Sequence, residues 1–123
     1  MKMNDVADQV LGYLLTKHTR VYRNKSSKKP DFPYIIFTVD TVIDTVPSKD
    51  MYLTINIFEK AEASVRVIET LADNIDEGLE QKVINTSTMC LHFSLEQRQS
   101  VNADELTSAQ MVNLRYVIRG YFN

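Results

Sequence analysis

The stretch Asp31–Asp44, "DFPYIIFTVDTVID", decides the fold. From Tyr34 onward it alternates: Ile35, Phe37, Val39 and Ile43 fall on one side, Thr38, Asp40 and Asp44 on the other. That period of two predicts a strand over 34–44 with one apolar face. A second alternating run, "MYLTINIF" (51–58), comes after "VPSKD" (46–50), whose Pro47 suits a turn and not a central strand. In the second run Met51, Leu53, Ile55 and Ile57 oppose Tyr52, Thr54, Asn56 and Phe58. Two strands with one apolar face each call for a helix layer on that face.

The next segment supplies one. In "EKAEASVRVIETLADNIDEGLEQ" (59–81), Val65, Ile68, Leu71, Ala72, Ile75 and Leu79 form a stripe at helical spacing, with Glu62, Arg66, Glu69, Asp73 and Asp76 outside it. Glu62 stands four residues before Arg66, a helix-supporting pair. Gly78 is placed in the fraying last turn. Strand periodicity resumes at Met89, Leu91, Phe93 and Leu95, and again at Val112, Leu114, Tyr116 and Ile118. Upstream, Val6, Val10, Leu11 and Leu14 recur as one helix face, with Asn4 or Asp5 as cap and Lys17 and His18 in the last turn. "RVYR" (20–23) is a candidate short strand.

The expected architecture is a single α+β domain over residues 1–123. It is a mainly antiparallel four-stranded sheet, plus the candidate short strand, with two helices packed on one face. A crossover through the second helix is expected to be right-handed if it joins parallel strands. Two polar stretches without periodicity, about 24–33 and 97–109, are read as mobile loops.

The 123 residues are 44% hydrophobic and 24% charged, with a formal net charge of −2. This is the balance of a globular domain, not of a polycation built for nucleic acid. No apolar run approaches the ~20 residues of a membrane span, and "MKMNDVADQV" does not have the form of a signal peptide. A cytoplasmic origin and no membrane partner are therefore expected.

Catalytic chemistry has little to stand on. The three glycines, Gly12, Gly78 and Gly120, are too dispersed for a phosphate loop, and Cys90 is a lone cysteine. Asp40 and Asp44 are separated by roughly 13 Å of extended chain, too far to share an ion. His92 alternates with Leu91 and Phe93 and has no carboxylate in obvious reach. Ser26 and Ser27 lack a nucleophile elbow. We expect no enzyme activity, no cofactor, no metal, and no catalytic or cofactor-binding residues.

One charged feature remains. Lys17, Arg20, Arg23, Lys25, Lys28 and Lys29 cluster around "NKSSKKPDFP" (24–33), whereas the second helix is acidic. Lys25, Lys28 and Lys29 are candidates for an inter-subunit or partner contact, because a basic loop on one copy complements an acidic helix on the next. Binding of DNA phosphates and a purely solubilising role are the alternatives. Tyr22 and Phe32 flank this loop.

Taken together, the amphipathic N-terminal helix, the irregular loop, "DFPYIIFTVD", "YLTINIFEKAEASVRVIETLADNI", "LHFSLEQRQSV" and the closing "VNLRYVIRGYF" resemble the tail completion and tail terminator proteins of long-tailed bacteriophages and prophages. Members often carry a tryptophan and a serine at the end of the second long strand, where this chain has Phe58 and Glu59. The resemblance implies an α+β virion protein that forms a ring, commonly a hexamer, at the head-proximal end of the tail. Its implied partners are other copies of itself, the tail tube protein and a head-completion or connector protein, with DNA passing through the lumen without specific binding. It brings no active-site residues. Asp40 and Asp44 become candidates for a lumen or interface face, where acidic walls would repel passing DNA. A small cytoplasmic interaction module that is not viral is the alternative.

Overall fold

The computed structural model describes residues 3–25, 31–44, 48–101 and 109–122. Helix α1 (Met3–Leu15) leads to strands β1 (Val21–Arg23), β2 (Tyr34–Asp44) and β3 (Ser48–Lys60). Helix α2 (Val65–Leu79) then leads to β4 (Val83–Asn85), β5 (Met89–Val101) and β6 (Ala109–Phe122). The strands form one six-stranded sheet in the order β1-β2-β3-β6-β5-β4. Among the described residues β1 and β2 alone pair in parallel; the other four pairings are antiparallel.

The α+β class holds, but the sheet is mixed and wider than four strands. "RVYR" does contribute an edge strand, and β4 is a further one that periodicity missed. Three residues are too few to display an alternation, so β4 is defined by its partner: Val83 to Asn85 pair with His92 to Cys90. The long strands also extend beyond their apolar runs. Ser48–Asp50, expected in a turn, belong to β3, and Gln97–Val101, expected in a loop, belong to β5. Ladder hydrogen bonding depends on the backbone, so polar side chains do not end a strand that has a long neighbour. Residues 102–108 and 26–30, the middles of the two expected loops, lie outside the described residues. The crossover through α2 joins β3 to β4; three antiparallel pairings separate them, so they run in opposite directions and the handedness rule does not apply.

Both helices cover the same face. Ile35 and Phe37 of β2, Met51 to Ile57 at odd positions of β3, Val112 to Ile118 at even positions of β6, and Leu91 and Phe93 of β5 are buried against Val6, Val10 and Leu14 of α1 and Ile68, Ala72, Ile75 and Leu79 of α2. Each of the larger aliphatic side chains contributes ~1.5–3 kcal/mol by leaving water. Val65, expected in the buried stripe, is 56% exposed, because it is the first helical residue and lies beyond the sheet's cover. Ser64 caps α2 by accepting from the Arg66 amide at 3.2 Å. Glu62 therefore lies outside the helix, and its expected pairing with Arg66 along a helix face does not arise. Likewise Asn4 and Asp5 lie within α1, and Lys17 and His18 come after its end in a turn.

Two tyrosine hydroxyls pin the layers together. Tyr116, fully buried at the middle of β6, donates to Asp76 Oδ1 on α2 at 2.5 Å. Tyr13 of α1 donates to the Ile75 carbonyl of α2 at 2.6 Å. This contact explains Gly78 better than fraying does. A Cβ there would stand 2.5 Å from the Tyr13 hydroxyl, which the hydrogen bond holds in place.

Gly78→Ala should therefore destabilise the protein by about 1 kcal/mol, the clash outweighing the ~1 kcal/mol helix-propensity gain. In a Tyr13→Phe background the same change should become neutral or stabilising, as measured by urea denaturation of the four-member cycle. The tyrosines also predict a pH dependence. Burial, and then the Asp76 charge, push the Tyr13 hydroxyl up to about 12, and burial and the bond to Asp76 raise Tyr116 in the same direction. A group whose folded pKa is raised stabilises fully below its unfolded value near pH 10, and loses that contribution as pH rises through the folded value. The urea midpoint should hold steady up to about pH 10 and fall above it. The fall should be shallower in Tyr13→Phe and Tyr116→Phe, although both start lower at neutral pH.

Candidate functional site

With both helices on one side, the other face of the sheet has no layer over it among the described residues. Its composition comes from register. Rows of side chains run across β2, β3, β6 and β5, and the first row is Tyr34, Phe58, Met111 and Val101. Each is half-buried or exposed, and together they form an apolar band about 15 Å across. Tyr34 stacks on Phe58 with centroids 5.0 Å apart, and Phe32 and Tyr22 join it at 5.4 and 6.4 Å. The band thus continues to the β1 edge as an aromatic cluster.

Beyond the band the face turns polar. Asn113 donates to Asn56 at 2.6 Å across β6 and β3. In the next row the Arg115 guanidinium lies 3.8 Å from the centre of the Tyr52 ring and 3.6 Å from Glu96. Arg119 and Asp50 pair at 3.4 Å. Apart from the Arg115 Nε, which is buried without a hydrogen-bond partner, these groups are paired within the molecule, so the polar area is an organised surface that a neighbour can meet with little further ordering.

A bulge in β5 between Leu95 and Gln97 adds one residue and reverses the faces of the rest of the strand. Glu96 is thereby placed near Arg115, and Arg98 is turned to the helix side. There Arg98 is held between Glu69 and Asp73 of α2, at 2.8 Å from the latter, while Ser100 donates to Glu69 at 2.8 Å. Burial works against the Arg98 charge, but its bonds to Asp73 and Glu69 outweigh that cost and raise its pKa. Glu69, Asp73 and Asp76, placed by spacing outside the apolar stripe, are thus partly engaged with the sheet. The i, i+4 spacing of Glu69 and Asp73 was the available signal; the bulge that supplies Arg98 has no sequence signature.

The candidate residues are dispersed. Asp40 is exposed on the helix-free face opposite Tyr52. A second bulge, between Thr41 and Ile43, interrupts the alternation that set Asp40 and Asp44 on one side, and the backbone of Asp44 is in register with Lys49. Lys25 is exposed, one residue beyond a positive-φ Asn24, and Lys28 and Lys29 lie outside the described residues. The neighbouring cations are partly committed to structure. Arg20 donates to the Pro33 and Phe32 carbonyls at 3.1 and 3.3 Å, His18 donates to Pro33 at 2.7 Å, and Arg23 donates to Asn4 at 2.7 Å. Cys90 is half-buried, and His92 meets Gln81 at 3.1 Å. Between α1 and α2 lies a cleft of about 640 Å³ lined by Tyr13, Lys17, Gly78 and Lys82, the two ammonium groups resting over the Tyr13 ring at 5.9 and 5.4 Å. Among the described residues no group of three or more His, Cys, Asp or Glu is arranged to hold a metal. No helix among them is long and apolar enough to cross a membrane.

No family model matches the chain, and no curated protein matches it by sequence. Solved structures share its fold. A chain from the virion of a native gene transfer agent particle aligns with a TM-score of 0.68 at 13% identity, covering 88% of this chain and 84% of its own. A second solved chain aligns with the same TM-score, 0.68, at 11% identity, over 95% of this chain and 96% of its own. The likeness is one of fold, and it extends over nearly the whole domain.

The Arg98 bridge should contribute modestly, since all three partners touch solvent. Arg98→Ala is expected to cost about 1 kcal/mol in low salt and less at 1 M salt, measured as the shift in urea midpoint at each ionic strength.

Proposed function

We propose that this chain is a non-enzymatic structural subunit of a phage-like particle. In that role it forms a ring at the head-proximal end of the tail, ends tube growth and joins the tail to the head connector. The observation that carries the proposal is the pairing of a fold shared over most of its length with a chain of a gene transfer agent virion with a sheet whose second face has no layer over it among the described residues and bears an apolar band. A protein that works by assembly needs large, preformed, mostly satisfied surfaces more than it needs a pocket of reactive groups. Copies related by rotation in a ring meet through two different surfaces, so the acidic α2 of one and the basic segment around Lys25 of the next need not be self-complementary. Asp40, exposed on the helix-free face, suits a lumen wall past which DNA slides without being held.

Deleting the gene from a particle-producing strain should leave filled capsids of normal form beside unjoined or overlong tails in electron micrographs. Complementation with the natural chain should restore joined particles. A chain carrying Tyr34→Ser and Phe58→Ser should fold, by circular dichroism, yet restore few. Intact particles from the deletion strain would rule the role out.

A further inference from the structure

The sheet has two lateral edges, and among the described residues a strand covers only half of each. On one side β1 pairs with β2 at Ile35–Phe37 alone; the flanking bonds are Ile35 N to Arg20 O at 2.9 Å and Asn24 N to Phe37 O at 2.8 Å. Beyond Phe37, the edge of β2 has no strand beside it among the described residues. On the other side β4 pairs with β5 at Cys90–His92, and Phe93 N donates to Lys82 O at 2.9 Å. Leu95 N is taken by the Glu80 carboxylate at 2.5 Å, and β5 then continues to Val101 with no strand on its outer side among the described residues.

Hydrogen-bond alternation identifies which backbone groups these edges present. Ile35 and Phe37 bond outward to the β1 side, so Val39 and Thr41, two and four residues on, also aim their amides and carbonyls outward. On β5 the outward residues are Phe93 and Leu95; the bulge shifts the parity by one, leaving Arg98 and Ser100 outward. The open half of β2, "TVDTVID", is rich in β-branched residues and contains neither proline nor lysine, and its bulge between Thr41 and Ile43 confines regular pairing to Thr38–Thr41.

We propose that the open half-edge of β2 (38–44) in one copy pairs antiparallel with the open half-edge of β5 (96–101) in the next, making the sheet continuous between subunits. The inference rests on the ring reading above and names the contact that builds it. The two half-edges lie on opposite sides of the molecule and run in opposite directions, as two chains in the same orientation require for antiparallel pairing. Val39 opposite Ser100 and Thr41 opposite Arg98 form the hydrogen-bonded pairs. Asp40 then faces Gln99, and Thr38 faces Val101, on the helix-free side. Because the contact joins two different edges it is heterologous, which propagates around a ring and does not close a two-fold dimer. Among the described residues only half of each edge is free, so successive copies are offset along the strand direction.

The test uses the full chain with Cys90→Ser. Asp40→Cys combined with Gln99→Cys should form an inter-subunit disulfide on mild oxidation of the assembled protein, because opposed non-hydrogen-bonded pairs have the Cα separation a disulfide needs. Asp40→Cys with Ser100→Cys, whose side chains leave opposite faces, should not. Thr41→Pro removes an outward amide that has no partner among the described residues and replaces an exposed side chain, so thermal melting of the monomer should change little. Its half-assembly concentration, read by mass photometry, should rise about tenfold or more. Rings that form without a disulfide from Asp40→Cys to any of Gln97→Cys, Gln99→Cys or Val101→Cys would overturn the edge pairing and leave the ring standing. Absence of any oligomer, in solution or on purified tail tubes, would overturn both.

Discussion

The hydroxyl of Tyr116 rises from the middle of the sheet into the helix layer, where its ring is sealed from water. A buried hydroxyl without an acceptor costs several kilocalories, so the position of Asp76 on α2 is constrained to meet it at 2.5 Å. That contact sets the rotation of α2 over β6, and Tyr13 then sets α1 against α2 through the Ile75 carbonyl. Gly78 is the residue that lets the two helices come close enough. The two helices are thereby committed to a single face, and two helices cannot also cover the other side of six strands.

The uncovered face is organised by the same economy of satisfied groups. Asn56 with Asn113, Tyr52 with Arg115 and Glu96, and Asp50 with Arg119 use up polar side chains in cross-strand contacts. Left over are the apolar band from Tyr34 to Val101 and the aromatic cluster beside it. A molecule with most polar groups of this face paired internally and its apolar groups gathered in a band is prepared for contact with another macromolecule. The sheet edges that carry no strand among the described residues add a directional element, since a row of edge N–H and C=O groups is a template for another strand.

Much of the fold was legible because burial writes itself into sequence as a period. Ile35 to Val39, Met51 to Ile57, Met89 to Phe93 and Val112 to Ile118 alternate because alternate residues touch the helices, and Ile68, Ala72, Ile75 and Leu79 recur because they touch the sheet. The polar strand ends at Ser48–Asp50 and Gln97–Val101 were not legible, since nothing apolar marks them and only a long neighbour makes them strands. The acidic residues of α2 show the same limit from the other direction. Their spacing shows that they share one side of a helix, but not that a bulged strand brings Arg98 and Ser100 beneath them.

The amino-acid sequence by itself determined an α+β domain with a one-sided sheet and two amphipathic helices, because each of these is written in local period and composition. Only the tertiary structure decided that Asp76 is a partner of Tyr116, that Gly78 is a contact and not a fray, and that β1 and β4 each pair with only part of the long strand beside them. Those facts depend on which segments become neighbours and in what register. A single inserted residue at a bulge is enough to exchange the faces of the whole remainder of a strand.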